Sequence, residues 1–201
     1  VNLSELKPGD VINAEGFTIT QYTDEEAAKI IAEQTGKSEE AVLENLKGDS
    51  STTSLKTSKS GPSYATSAYA ATASGKCATG ATAFSRYLTV KSTYKPLLHV
   101  WTELCQNSAG QYFVKSIVDI SMNRNYNGTV KQFSGSVTAK ALNYGKTLYY
   151  RAEGDFYNNG TTTIGGGGGL NTAVASVNFN VSNSSNYFGY IHKYENIVLF
   201  K

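Results

Sequence analysis

The segment Leu148-Tyr149-Tyr150-Arg151-Ala152-Glu153-Gly154-Asp155-Phe156-Tyr157 alternates between apolar and polar side chains. A period of two belongs to a β-strand, whose successive side chains point to opposite faces. Leu148, Tyr150, Ala152 and Phe156 share one face, and Tyr149, Arg151, Glu153, Asp155 and Tyr157 share the other. A strand with one apolar and one mixed face fits an antiparallel sheet packed on one side only.

The same period recurs on both sides of this segment. Residues 82–91, 97–105, 111–123, 129–143, 146–156, 170–181, 187–193 and 197–200 read as further strands. Within 111–123 the alternation assigns Tyr112, Val114, Ser116, Val118 and Ile120 to one face. Asn127-Gly128 and Asn159-Gly160 are hairpin turn signals, and Tyr144-Gly145-Lys146 is another turn. Strands and turns at this spacing predict a mainly β chain built as an antiparallel β-sandwich, with a barrel as the alternative closure.

Residues 1–48 follow a different period. Pro8-Gly9 marks a turn before two short strands around Val11-Ile12 and Phe17–Thr20. Thr23-Asp24-Glu25-Glu26 forms a capping box that starts a helix with Ala27, Ala28, Ile31 and Ala32 on one face. Gly36 ends that helix. Ser38 caps a second helix, with Val42, Leu43 and Leu46 inward and Gly48 as its stop. The expected organisation is therefore a small helical hairpin unit over 1–48, a Ser/Thr/Lys-rich linker over 49–63 and a β domain over 64–201. The five glycines at 165–169 read as a hairpin loop, since no GK[ST] follows them to make a phosphate loop.

Charge divides along the same line. Residues 1–49 hold 11 Asp/Glu against 4 Lys/Arg, and residues 50–201 hold 5 against 14. The first segment is acidic by 7 charges and the second basic by 9. Such asymmetry points to an anionic partner for the β domain, or to contact between the acidic 1–48 and the basic 64–201. The small–Gly–apolar spacing of Ala32, Gly36 and Val42 is that of a helix-turn-helix. The second helix, however, presents Glu39, Glu40 and Glu44, which would repel phosphates, so nucleic acid is not an expected partner.

The chain starts at Val1 rather than Met, which a removed signal peptide explains. Export agrees with two cysteines, Cys77 and Cys105, an even count that permits one disulfide. No run of apolar residues is long enough to span a membrane. The two cysteines lack a CxxC neighbour and only two histidines exist, so neither a metal site nor a cofactor is expected.

Exposed tyrosines beside acids and an arginine offer flat apolar area with hydrogen-bond partners, which is what a saccharide surface needs. Tyr149, Arg151, Glu153, Asp155 and Tyr157 are therefore the candidate ligand-binding residues. A second aromatic cluster, Tyr187, Phe188, Tyr190 and Tyr194, lies near the C-terminus. The reading is an exported, non-catalytic binding protein of the cell envelope or extracellular space, its β domain contacting a glycan or anionic polymer. One alternative is a secreted effector, toxin or inhibitor masked by the acidic N-terminal unit. Another is a glycan hydrolase using Glu153 and Asp155, about 7 Å apart along one strand face. His99, Trp101 and Glu103 share a strand face, but no nucleophile stands out beside them.

Overall fold

The alternating segments pair into two antiparallel sheets in a computed structural model that describes residues 6–14, 16–47, 75–168 and 171–199. The expected linker, the 64–74 stretch and the Gly48 stop lie outside the described residues.

The first sheet contains β1 (Val11–Ala14), β2 (Phe17–Tyr22), β3 (Gly75–Cys77), β4 (Ala81–Tyr87), β5 (Leu97–Asn107) and β6 (Tyr112–Asn123). Its order is β1-β2-β4-β5-β3, with β6 also paired to β5. β2 of the acidic segment hydrogen-bonds β4 through the register Thr18↔Ser85 to Tyr22↔Ala81. One sheet thus crosses the change in composition at residue 48. A short hairpin, β7 (Asn125–Tyr126) and β8 (Thr129–Val130), turns at Asn127-Gly128 with both residues at positive φ.

The second sheet is a curled half-barrel made from β9 (Gln132–Leu142), β10 (Thr147–Gly168) and β11 (Val174–Val198). β10 and β11 form one long hairpin. The first half of β10 pairs with β9, from Thr147↔Leu142 to Tyr157↔Gln132. The start of β11 pairs with the opposite edge of β9, from Val174↔Lys140 to Phe179↔Gly135. The hairpin therefore bends back and grips β9 on both sides. Register shifts between Phe156 and Tyr157 and between Asn159 and Thr161 mark the bend. Asn159-Gly160 is not the expected hairpin turn. Gly160, at φ +126°, sits inside β10, and Asn159 pairs with Ser185, so the chain bulges and continues. Gly135 and Gly154 face each other where β9 and β10 nearly touch. A Cβ on Gly135 would lie 2.1 Å from the Glu153 carbonyl oxygen, so the tight curl at this point requires both glycines.

Three layers result. The inner faces of the two sheets meet in one core, with Phe84, Leu98, Val100, Ile117, Ile120 and Met122 from the first and Phe133, Val137, Tyr150, Phe156, Val177 and Phe179 from the second. The outer face of the first sheet carries Ala81, Ala83, Trp101 and Val118, covered by Ala27, Ala28, Ile31 and Val42 of the helices. α1 (Asp24–Thr35) has the expected capping box, with the Glu26 amide donating to Thr23 Oγ1 and the Thr23 amide donating to Glu26 Oε2. Gly36 closes it at φ 74°, and Ser38 caps α2 (Glu39–Leu46). Val118 does not share a face with Val114 and Ile120 as the alternation suggested. Bulges opposite Trp101–Thr102 and Glu103–Leu104 break the period, turning Val118 toward the helices and Ile117 into the core.

Candidate functional site

The half-barrel turns its apolar face to the first sheet, so the Tyr149–Tyr157 face points outward on the side of the molecule opposite the helices. Register with β11 sets a second row beside it: Asn196 against Tyr149, Tyr194 against Arg151, His192 against Glu153, Tyr190 against Asp155 and Tyr187 against Tyr157. Tyr187, Tyr190 and Tyr194 are 59%, 49% and 63% exposed. Tyr157 and Tyr187 meet edge to face at 6.0 Å, and His192 lies 5.9 Å from Tyr194. The structure thus brings all five expected residues onto one surface and adds a ladder of rings from β11.

Glu153 is the hub of that surface. The Tyr190 hydroxyl donates to its Oε1 at 2.9 Å, and Arg151 forms an ion pair with its Oε2. The tyrosine hydrogen bond, then Arg151 and the nearby His192, hold the Glu153 carboxyl below its ordinary value, and the same bond raises the Tyr190 phenol. Glu153 is thereby kept as the carboxylate. A shallow, open groove of about 670 Å³ runs alongside, lined by Ser134, Ser136, Glu153, Asp155, Asn178, Asn180 and Tyr190 among others. Its lining is a set of hydroxyls, carboxamides and carboxylates suited to bonding a polyhydroxylated ligand.

The remaining candidates are structural. His99 is buried, its Nδ1 2.7 Å from Ser85 Oγ, and burial pushes its pKa down to about 4. Ser85 is buried with it, which keeps the pair from a substrate. Cys77 and Cys105 face each other across β3 and β5 and are joined in a disulfide. Glu103 lies within 4.8 Å of their sulfurs, yet the sulfurs are bonded to each other and Glu103 pairs with Lys115 at 2.9 Å.

The acidic segment meets the β strands through apolar packing and hydrogen bonds. The Trp101 indole donates to Ser121 Oγ at 2.9 Å, which donates to Gln34 Oε1 at 2.6 Å. Lys37 Nζ donates to Asp119 Oδ2 at 2.7 Å. This pair reverses the charge pattern expected from composition, with the cation in the acidic segment and the anion in the basic one. Burial outweighs Lys37 and raises the Asp119 carboxyl.

Ser134, Ser136, Asn178 and Asn180 had no signal in the sequence beyond their polar character, because register alone brings them beside Glu153. The tyrosines of β11 were visible as a cluster but not as the neighbours of β10. No described helix is long and apolar enough to cross a membrane. No protein-family model matches the chain, and neither a curated protein nor a solved structure is significantly similar to it.

Proposed function

We propose that this chain is an exported binding protein that takes a glycan on the outer face of its half-barrel, without cleaving it. The observation that carries the reading is the ladder of exposed tyrosines flanking Glu153 and the adjoining polar groove. Tyrosine rings supply apolar faces for sugar rings, while Asp155, Asn178, Asn180 and the serines offer donors and acceptors for hydroxyls. The disulfide supports an oxidising compartment.

Two features weigh against glycan hydrolysis. Glu153 is held below its ordinary carboxyl value and is doubly engaged, the opposite of the raised carboxyl that a general acid at this position would need. The groove is shallow and open rather than closed around a substrate. The position of the helices, a full layer away from the tyrosine face, weighs against an acidic mask over that face.

Affinity electrophoresis through gels containing a panel of polysaccharides tests the proposal. The wild-type chain is expected to be retarded by at least one neutral polysaccharide, the Tyr190→Ala/Tyr194→Ala variant less so, and no reducing ends should be released. Retardation that is equal for both proteins, or absent in every gel, would refute it.

A further inference from the structure

The tyrosine ladder runs into an end of the half-barrel that gathers cations without carboxylates. Four segments meet there: 88–96, 124–132, 156–164 and 185–190. They contain Lys91, Lys95, Arg124 and Lys131 and no Asp or Glu. Their meeting is fixed by rings. Buried Tyr94 packs edge to face on Tyr126, Phe156 and Phe188 at 6.3, 5.6 and 5.5 Å, and its hydroxyl donates to the Arg124 carbonyl at 2.8 Å.

Lys91 Nζ lies 4.4 Å and Lys131 Nζ 4.5 Å from the centroid of the Phe188 ring. The two ammoniums are thus no more than about 9 Å apart, about one Debye length at physiological ionic strength. Among the described residues, neither lysine nor Arg124 joins an ion pair with a carboxylate. Arg124 ties the Lys131 backbone to β9 and β10. Its Nη1 donates to the Lys131 carbonyl at 3.2 Å and to Gln132 Oε1 and Thr162 Oγ1, both at 2.7 Å. Lys131 also bonds Asn158 Oδ1. Lys91, Lys131 and Arg124, gathered in segments without a carboxylate, make a local positive field that favours an anion.

We propose that Lys91 and Lys131 over Phe188 form a subsite for an anionic ester group, sulfate or phosphate, of a sparsely charged glycan whose neutral rings lie along the tyrosine ladder. The inference rests on the glycan reading for the identity of the polymer. The site's own charge and geometry indicate the anion. Tyr157 and Tyr187, the last paired rings of the ladder, adjoin Asn158 and Phe188 at the register shift between Phe156 and Tyr157, so the subsite lies past the end of the ladder, where Phe188 turns toward the core, and not on the ladder's own face. A sparse charge is required because the middle of the ladder carries Glu153 and Asp155. Those carboxylates would repel a uniformly charged chain such as a nucleic acid backbone but accept hydroxyls.

The test compares three probes by affinity electrophoresis at 50 and 200 mM salt: dextran, dextran bearing sulfate esters at low density, and a single-stranded oligothymidine. Sulfated dextran is expected to bind at least tenfold tighter than dextran at 50 mM. That preference should shrink at 200 mM salt, where exposed charges are screened over a shorter distance. Lys91→Gln/Lys131→Gln should bring sulfated dextran down to the dextran level without changing dextran binding, and Lys91→Arg/Lys131→Arg should retain the preference. Circular dichroism confirms that each variant is folded. The proposal is overturned if sulfated and neutral dextran bind equally, if the glutamine variant keeps the preference, or if oligothymidine binds as tightly as sulfated dextran. Binding of sulfated dextran that needs both lysines but is indifferent to Tyr190→Ala/Tyr194→Ala would leave the anion subsite standing and reject the glycan reading of the ladder. Failure of all three probes rejects both.

Discussion

Replacing Lys37 by Met keeps an apolar stem of similar length and removes the ammonium paired with Asp119, whose side chain is 1% exposed. Breaking a buried pair by deleting one partner typically costs 3–5 kcal/mol. Lys37 is itself 30% exposed, so water already screens part of the interaction, and about 3 kcal/mol is the better expectation at pH 7. With a urea slope of about 2 kcal/mol per molar for a chain of this size, the midpoint should fall by about 1.5 M. The single Trp of the chain, Trp101, lies against the same helical layer and reports the transition by fluorescence. The loss should depend on pH with a definite sign. Asp119 is raised above its ordinary carboxyl value even with Lys37 present, and more so without it. An acid raised in the folded state contributes stability below its unfolded pKa and loses it as pH rises through the folded one. At acid pH, where the carboxyl is protonated in both proteins, the difference should be small. It should grow toward pH 7 by at most about 1.4 kcal/mol per pH unit. Contributions from other groups, His99 included, cancel in the comparison. A destabilisation of equal size at pH 4 and pH 7 would mean that lost packing, not the orphaned carboxylate, sets the cost, and the reasoning would fail.

The neutral, buried His99 gives the wild type a second pH dependence: its folded pKa near 4 lies below the unfolded value, so stability should fall by about 3 kcal/mol as pH drops from about 6.5 to 4. His99→Asn should flatten that slope in urea titrations at a series of pH values. Deleting residues 1–48 should shift Trp101 emission to the red and abolish cooperative unfolding, because it strips the cover from Trp101, Ala83 and Val118 and frees the β4 edge; a native-like blue emission from the fragment would show that the β strands fold alone. Reducing the Cys77–Cys105 disulfide, whose sequence separation is 28 residues, should lower stability by about 3.5 kcal/mol in the chain-entropy model. Two free thiols in oxidised native material, found by mass spectrometry, would contradict the pairing itself. Tyr190→Phe should let the Glu153 carboxyl rise toward its ordinary value, which carboxyl-carbon NMR titration reads directly.

What was legible in the sequence was local. Alternation found the faces of β5 and β10, and capping chemistry placed both helix starts, because those signals act over a few residues. The partners of those faces were not legible. His99 and Trp101 were visibly on one side of a strand, but the cover over Trp101 comes from helices more than fifty residues earlier, and no local rule links Gln34 to Ser121. The expected turn at Asn159-Gly160 was a sound local reading that tertiary pairing overrode, since the Asn/Ser-rich partner strand resumes pairing on both sides of the bulge. The face of Val118 was misjudged because a bulge leaves no mark on periodicity except its failure. At the candidate site, one row of the ladder was legible and the other was not, since the pairing of Glu153 with His192 is a fact of register.

The doubled grip of the β10–β11 hairpin on β9 also sets the order of events in folding. β9 has one neighbour from the start of β10 and the other from the start of β11, and the start of β10 is completed only by the last residues of β11, through Thr147↔Val198. The half-barrel therefore cannot close until residue 198 has left the ribosome. Pairings of this range place folding among the slow β topologies, in milliseconds to seconds rather than microseconds. During that interval the edges of β9 and the apolar face of β10 stand open, so the nascent chain is most prone to aggregate in the short time between synthesis of residue 157 and residue 198.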